Sequence, residues 1–529
     1  MTDQPDSRGA DGAFGAFERT YGAGRPQAVT RRIPADLETP VSAFLKLTAG
    51  RPHAQAMSVL LESVEGGAVR GRYSVIGLKP DLLFRIVDGR AEINRRIRED
   101  ADAFDPMDAD PLDALRAVIG ETAMDLAPGT PPAAVGLFGY MGYDCVRFME
   151  RMPEPKANTL GLPDAMFFRP SITAVFDGVT GEILLTTPVW PRTDVSAREA
   201  HDRAMDRLGA AIADLAAPLP PGFLQHRPAV SVNAAEPVSN TTHEDYLAKV
   251  EAVRAYIEAG DAFQVVPSQR FSQPFPLPSF ALYRSLRRLN PSPFLFHMDL
   301  GGFSLVGSSP ELLVRLRDGT LTIRPIAGTR PRGAAPEEDQ ALADDLLSDE
   351  KERAEHLMLL DLGRNDVGRV AETGSVRVTE RFSVEHYSHV MHLVSNVEGR
   401  LRADRDAVAA LTAGFPAGTV SGAPKIRAME IIHALEQDRR GPYGGLVGYF
   451  AADGSMDNCI ALRTGVVKDG MLHVQAGGGV VADSNPEAEY LETVNKARAL
   501  FRAAADATRF AAVLDEGTQP GPDGRRMGW

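Results

Sequence analysis

Hydrophobic positions change their period along this chain. Up to residue 215, short apolar runs recur (MSVLLES, RYSVIGL, LLFRIVDG, SITAVFDG, EILLTTP) and are bounded by Gly, Asp and Pro. They predict strands, with fewer helical stretches between them. Beyond residue 239 a helical period opens the second part: Tyr246, Val250, Val253 and Ile257 share one stripe. Thr241 and Glu244 have the spacing of a capping box there, and Gly260 closes the helix. Further strands (SLVGSS, LTIRPIAG, GLVGYFA, HVQAGGGVV) follow, with helices near residues 338–360, 404–413, 424–436 and 486–504. No strict βαβ rhythm runs through them, so the expected class is α+β, with helices packed outside large sheets.

The same pattern divides the chain. Residues 1–27 are Gly- and Asp-rich without periodicity and read as a disordered arm; the tail 509–529 has the same character. Between residues 216 and 238 stand Pro218, Pro220, Pro221, Pro228 and Pro237, whose missing N–H donors argue against a regular element. That segment reads as a linker between an N-terminal part, 28–215, and a C-terminal part, 239–508.

Composition narrows the class. With 529 residues, 44% hydrophobic and 24% charged, the chain is long enough to bury a core without staples. A balance of 57 Lys+Arg against 71 Asp+Glu leaves −14, which disfavours nucleic acid and anionic membrane surfaces as partners. Two cysteines, Cys145 and Cys459, exclude a disulfide scaffold and a Cys-rich metal site. The sequence lacks a long apolar span and a secretory leader, so a soluble cytoplasmic enzyme or subunit is expected.

Candidate chemistry lies in the C-terminal part. Glu352 and Glu355 are three residues apart on one predicted helix, as are Glu489 and Glu492 on another. Such pairs repel unless a cation is near, so each is either a solvated face or part of a site for a hard cation such as Mg²⁺. FPAGTVSGAPK places Gly418, Thr419, Ser421 and Gly422 ahead of a helix, where backbone N–H groups attract anions; its glycine spacing is not that of a P-loop. QAGGGVV interrupts a strand with Gly477, Gly478 and Gly479, which suggests close approach of a ligand or is a plain turn. Arg463 is suited to a carboxylate or to a surface ion pair. His386, His389 and His392 crowd into HYSHVMH; a general acid/base role fits better than a zinc set, and a structural histidine fits as well.

In order, GDAFQVVPSQR, NPSPFLFHMD, LVGSSPELLV, RPIAGTRPRG, DEKERAEHLMLLDLGRNDVG, VMHLVSNVEG, FPAGTVSGAPKIRAMEII, YGGLVGYF, CIALRTG and VQAGGGVVADSNPEAEYLETVNKA run from about residue 240 to 505. This series resembles the chorismate-utilising enzymes, and within them the anthranilate-forming branch. The N-terminal part matches more thinly, through LLES, GRYSVIG and GLFGYMGYD. The resemblance implies two large antiparallel sheets stacked face to face, helices outside, and both parts of the chain contributing. It implies chorismate bound with Mg²⁺, Glu355 and Glu492 as metal ligands and Glu352 and Glu489 beside them. Thr419, Tyr443, Arg463, Lys496, the Ala327-Gly328-Thr329 strand and the Gly477–Gly479 amides would hold the substrate. Glu311 resembles the acid that helps the C4 hydroxyl leave, and His392 the histidine of the aromatising step.

Two positions separate the siblings. Water-adding relatives resemble one another in a lysine base where this chain has Gln264, and a neutral amide cannot generate hydroxide. Aminodeoxychorismate synthases read PIKGT, with a nucleophilic lysine, where this chain has Ala327; that sibling remains the alternative, with a non-catalytic sensor of chorismate or tryptophan behind it. Neither cysteine lies in a glutaminase-like context, so ammonia is expected from a separate glutamine amidotransferase subunit. The resemblance also implies a tryptophan feedback site formed by Leu61, Glu62 and Ser63 with Asn290, Pro291, Pro293 and Phe294.

Overall fold

The computed structural model describes residues 7–49, 57–65, 69–219, 236–387 and 390–511. Its α-helices up to residue 289 are α1 (Ser7–Gly22), α2 (Pro40–Thr48), α3 (Pro111–Thr122), α4 (Ala197–Ala216), α5 (His243–Glu258) and α6 (Ser279–Leu289). After these come α7 (Pro336–Ser348), α8 (Glu350–Gly368), α9 (Ala407–Gly414), α10 (Lys425–Leu435) and α11 (Pro486–Asp506).

Antiparallel pairing joins 21 strands into one hydrogen-bonded network. Side-chain alternation shows how that network becomes two layers. On Gly136–Met141, Phe138 and Tyr140 enter one cluster of buried residues, while Leu137 and Met141 enter another. On Phe294–Asp299, Phe296 joins the cluster of Phe138, while Leu295 faces a third. Because successive strand residues point to opposite faces, the Phe138–Phe296 cluster lies between two layers. The other two clusters lie outside them, one under α3, α8, α9 and α10, the other under α2, α4, α6 and α11. Strands apolar on both faces are what helices covering both outer surfaces require.

Both parts of the chain build each layer. Ser58–Glu62 pairs with Phe294–Asp299, and Gly136–Met141 pairs with Leu446–Ala451. The Pro-rich segment therefore divides the sequence and not the sheet. Of it, residues 220–235 lie outside the described residues, as do 512–529 of the tail.

Three local expectations change. Residues 7–22, expected as part of a disordered arm, form α1, whose Phe17 and Tyr21 pack on Val189, Ala200 and Ala204. Phe14, Phe17 and Tyr21 have helical spacing that the surrounding glycines mask in the sequence. The cap of α5 is Thr242, which accepts from the Asp245 N–H, whereas Thr241 accepts from the Lys249 ammonium at 3.0 Å. The helix expected over 338–360 is two helices, because Asp349 accepts from the N–H groups of Lys351 and Glu352 and starts α8 afresh.

Candidate active site

Two cavities meet beside α11. The smaller, about 200 Å³, is walled by Glu311, Ala327, Thr419, Tyr443, Gln475 and Gly477, among others. The larger, about 900 Å³, is bordered by Glu352, Glu355 and Glu492, with Gly328 on the same wall. Thr329, His392, Arg463 and Lys496 line both. Strand pairing assembles this junction: Thr329 sits opposite His392 in register, past a bulge at Ala327–Thr329, and Gly328 adopts φ +68° there.

Glu311 is 4% exposed. Burial pushes its carboxyl up to about 8; the Thr419 hydroxyl, the Ile326 backbone, Arg463 and Lys496 act in the opposite direction. Thr419, on the turn Gly418–Val420, donates to Glu311 Oε1 at 2.7 Å. The result is a carboxylic acid that keeps its proton at neutral pH. Thr419 thus works from a side chain on a 3₁₀ turn, not from the helix N-terminus that the glycine pattern suggested; Lys425 of α10 is committed to Asp366 at 2.9 Å.

Arg463 is held at φ +48°, a region that non-glycine residues seldom occupy. Burial lowers its pKa, with Tyr387 and Glu311 acting the other way. No ion pair among the described residues includes its guanidinium. A half-buried cation without an ion-pair partner is the signature of a site awaiting an anion.

His392 is 7% exposed, and burial lowers its pKa to about 4, so the ring is neutral. Its Nδ1 lies 2.9 Å from the Gly328 carbonyl and 3.1 Å from Thr329 Oγ1. A carbonyl only accepts, so Nδ1 bears the hydrogen and Nε2 keeps its lone pair for use as a base. Tyr443, whose pKa burial raises to about 12, stays a neutral hydroxyl against the backbone of Gly477.

The acid pairs face each other from α8 and α11. Burial raises the pKa of Glu355, and Glu352, Asp483 and Glu489 add to the rise. Burial likewise raises Glu489, with Glu492 adding to it and the Ser484 hydroxyl opposing. Glu489 Oε2 is buried without a hydrogen-bond partner and lies where a Cβ on Gly478 would come within 2.8 Å. Lys496 bridges Glu492, at 2.7 Å, to the Gly477 carbonyl, at 2.9 Å. Among the described residues, no group of three or more His, Cys, Asp or Glu side chains is arranged as a metal site. What stands here is a set of converging carboxylates that repel one another, which suits a cation held by one or two of them together with an anionic substrate.

Not every expected residue joins this junction. Gln264 lines neither cavity; its amide packs over Gly479, where a Cβ would sit 2.5 Å from Nε2, and its Oε1 is buried without a partner. Leu61, Glu62, Ser63, Pro293 and Phe294 line a separate cavity of about 640 Å³. Asn290 and Pro291, expected with them, border the larger acidic cavity instead. The turn after α6 splits the NPSPF motif between two sites. Glu62 is 6% exposed and accepts hydrogen bonds from Tyr283 and from Arg287, the latter an ion pair. It is thus a wall member already committed to partners. His386 lies 3.7 Å from Asp339, and His389 falls outside the described residues.

Motif reading missed Gln475 and the buried pair Glu436 and Arg440, which sit behind the small cavity. Arg440 donates to the carbonyls of Val420 and Val266 and pairs with Glu436. The available signal was two opposite charges four apart, Glu436 and Arg440, next to the GPYGG turn.

Comparison with known proteins shows the family. Residues 59–502 match the family described as chorismate binding enzyme. Anthranilate synthase component 1 of Cereibacter sphaeroides is 58% identical over 96% of this chain and 100% of its own length. That of Pseudomonas putida is 49% identical over 90% of this chain and 95% of its own. The crystal structure of anthranilate synthase component I from Streptococcus pneumoniae aligns with a TM-score of 0.72 at 37% identity, covering 89% of this chain and 99% of that one. The chain belongs to the chorismate binding enzyme family. Within it, the chain groups with the anthranilate synthase component 1 enzymes, whose chemistry is of the lyase type.

Proposed function

We propose that this chain converts chorismate and ammonia to anthranilate and pyruvate. The observation that carries the reading is the company of Arg463: a half-buried cation without an ion-pair partner, a protonated acid (Glu311) and a neutral base (His392) around one small cavity. Chorismate is a dianion, so Arg463 offsets one carboxylate while Thr419, Tyr443 and the Gly477 backbone fix orientation. Ammonia adds at C2 as the C4 hydroxyl leaves with the proton of Glu311, giving 2-amino-2-deoxyisochorismate and water. His392 Nε2 then takes the C2 proton while the enolpyruvyl group departs and is released as pyruvate, leaving anthranilate.

Mg²⁺ fits the carboxylates of α8 and α11, with Glu355 and Glu492 as ligands and Glu352 and Glu489 beside them. When bound it supplies positive charge next to the substrate's carboxylate. The buried, partnerless oxygen of Glu489 supports a cation there. Ammonia comes from a separate glutamine amidotransferase component, as the "component 1" of the relatives' names suggests. Tryptophan is the proposed occupant of the cavity at Ser63, Pro293 and Phe294. Aminodeoxychorismate formation is disfavoured because Ala327, on the wall of the small cavity, offers no amine.

The test is the fluorescence of the purified chain incubated with chorismate, Mg²⁺ and ammonium, with and without EDTA. Anthranilate emission that EDTA abolishes is expected. Chorismate consumed without emission would give the function to a sibling reaction, and persistence of chorismate would leave a sensor.

A further inference from the structure

The Oε1 atom of Gln475 is buried and has no hydrogen-bond partner, on a side chain that lines the small cavity with Glu311, Ala327 and Arg463. An amide oxygen left this way costs stability unless something arrives to donate to it. Its orientation is set by the groups behind it. Gln475 and Ser268 lie diagonally across paired strands, and Gln475 Nε2 donates to Ser268 Oγ at 2.8 Å. The Ser268 hydroxyl donates in turn to Glu436 Oε1 at 2.8 Å, and the Ser268 backbone N–H donates to the same oxygen at 2.8 Å. Glu436 is held by Arg440 through Nε at 2.8 Å and Nη2 at 2.6 Å. Because that hydroxyl hydrogen is committed to a carboxylate, Ser268 Oγ offers only a lone pair. A flipped amide would set two acceptors against each other, so Nε2 faces Ser268 and the carbonyl oxygen faces away from it.

We propose that Gln475 Oε1 is the acceptor that holds the ammonia nucleophile beside chorismate, which makes Gln475 a substrate-binding residue for the nitrogen donor. The inference rests on the function proposed above. A carbonyl oxygen repels the substrate's carboxylates, and the only hydroxyl hydrogen chorismate offers is at C4, the group assigned to Glu311. Ammonia has three N–H hydrogens. Giving one to a neutral carbonyl leaves the nitrogen lone pair free to attack, whereas a carboxylate in its place would favour ammonium, which cannot attack. The relay from Arg440 through Glu436 and Ser268 acts by holding the amide in that orientation.

The test measures initial rates of anthranilate formation with ammonium as the nitrogen source, for the wild type, Gln475→Leu, Gln475→Glu and Ser268→Ala. Gln475→Leu should raise the KM for ammonium roughly tenfold, the usual cost of one lost hydrogen bond, and leave the KM for chorismate unchanged. Ser268→Ala, which frees the amide to flip, should shift the same constant in the same direction by less. Gln475→Glu should lower kcat without raising the KM for ammonium. A wild-type ammonium KM in Gln475→Leu, or a rise in the chorismate KM instead, overturns the assignment. No anthranilate from the wild type would overturn the function itself, so the two failures are distinguishable.

Discussion

At the scale of single residues, protonation states carry the chemistry. Glu311 and His392 line one cavity, and burial moves them in opposite senses, one up to about 8 and the other down to about 4. Burial disfavours charge, so the carboxyl keeps its proton and the imidazole loses its own. At pH 7 the pair is an acid and a base. The acid form of Glu311 is present below its raised pKa and is lost as pH rises through about 8. We therefore expect kcat/KM to fall on the alkaline side with an apparent pKa near that value. Glu311→Gln should lower kcat by about 10²–10⁴ and abolish that alkaline limb. A pH–rate profile of both enzymes checks it, and an identical limb in the variant would assign the titration to another group. None of this is legible along the chain, where SSPE and HYSHVMH show an acid and a histidine with ordinary affinities for protons.

Elements decide which carboxylates meet. Helical spacing already placed Glu352 with Glu355 and Glu489 with Glu492. That the two helices converge is a tertiary fact: Glu489 of α11 is among the charges that add to the burial-driven rise of Glu355 on α8. With the carboxylates repelling, a bound cation should stabilise the fold. Added Mg²⁺ is expected to raise the melting temperature of the chain by roughly a few degrees at saturating concentration. Glu355→Gln, which removes one of the repelling charges, should melt no lower without metal and lose the Mg²⁺ shift. Differential scanning fluorimetry reads both, and an undiminished shift would move the metal off Glu355. Element boundaries were the weaker part of the sequence reading. Asp349 split one expected helix because its side chain satisfies two N–H groups at the start of α8, and Thr242 took the cap of α5 from its neighbour.

At the scale of the whole molecule, the Pro-rich segment looks like a domain border and is none in space. Ser58–Glu62 and Gly136–Met141 are neighbours of C-terminal strands, so residues 239–508 alone would expose the edges of Phe294–Asp299 and Leu446–Ala451. That fragment is expected to aggregate, and co-expression with residues 28–215 to restore a soluble complex. Size-exclusion chromatography with circular dichroism melting decides; a soluble fragment with its own cooperative melt would overturn the shared-sheet account. The same interleaving puts the Ser63 cavity against the catalytic part, with NPSPF running from one cavity to the other.

What the sequence determined by itself was local or collinear. The strand and helix periods, the two acid pairs and the order of ten motifs all survive reading in one dimension, because each depends on spacing along the chain. Protonation of Glu311, the bare cation of Arg463, the tautomer of His392 and the unpaired oxygen of Gln475 do not. Each arises from which groups the fold leaves near, or removes from, a given atom. Desolvation and hydrogen-bond partnership are properties of a packed volume, and only the tertiary structure supplies them.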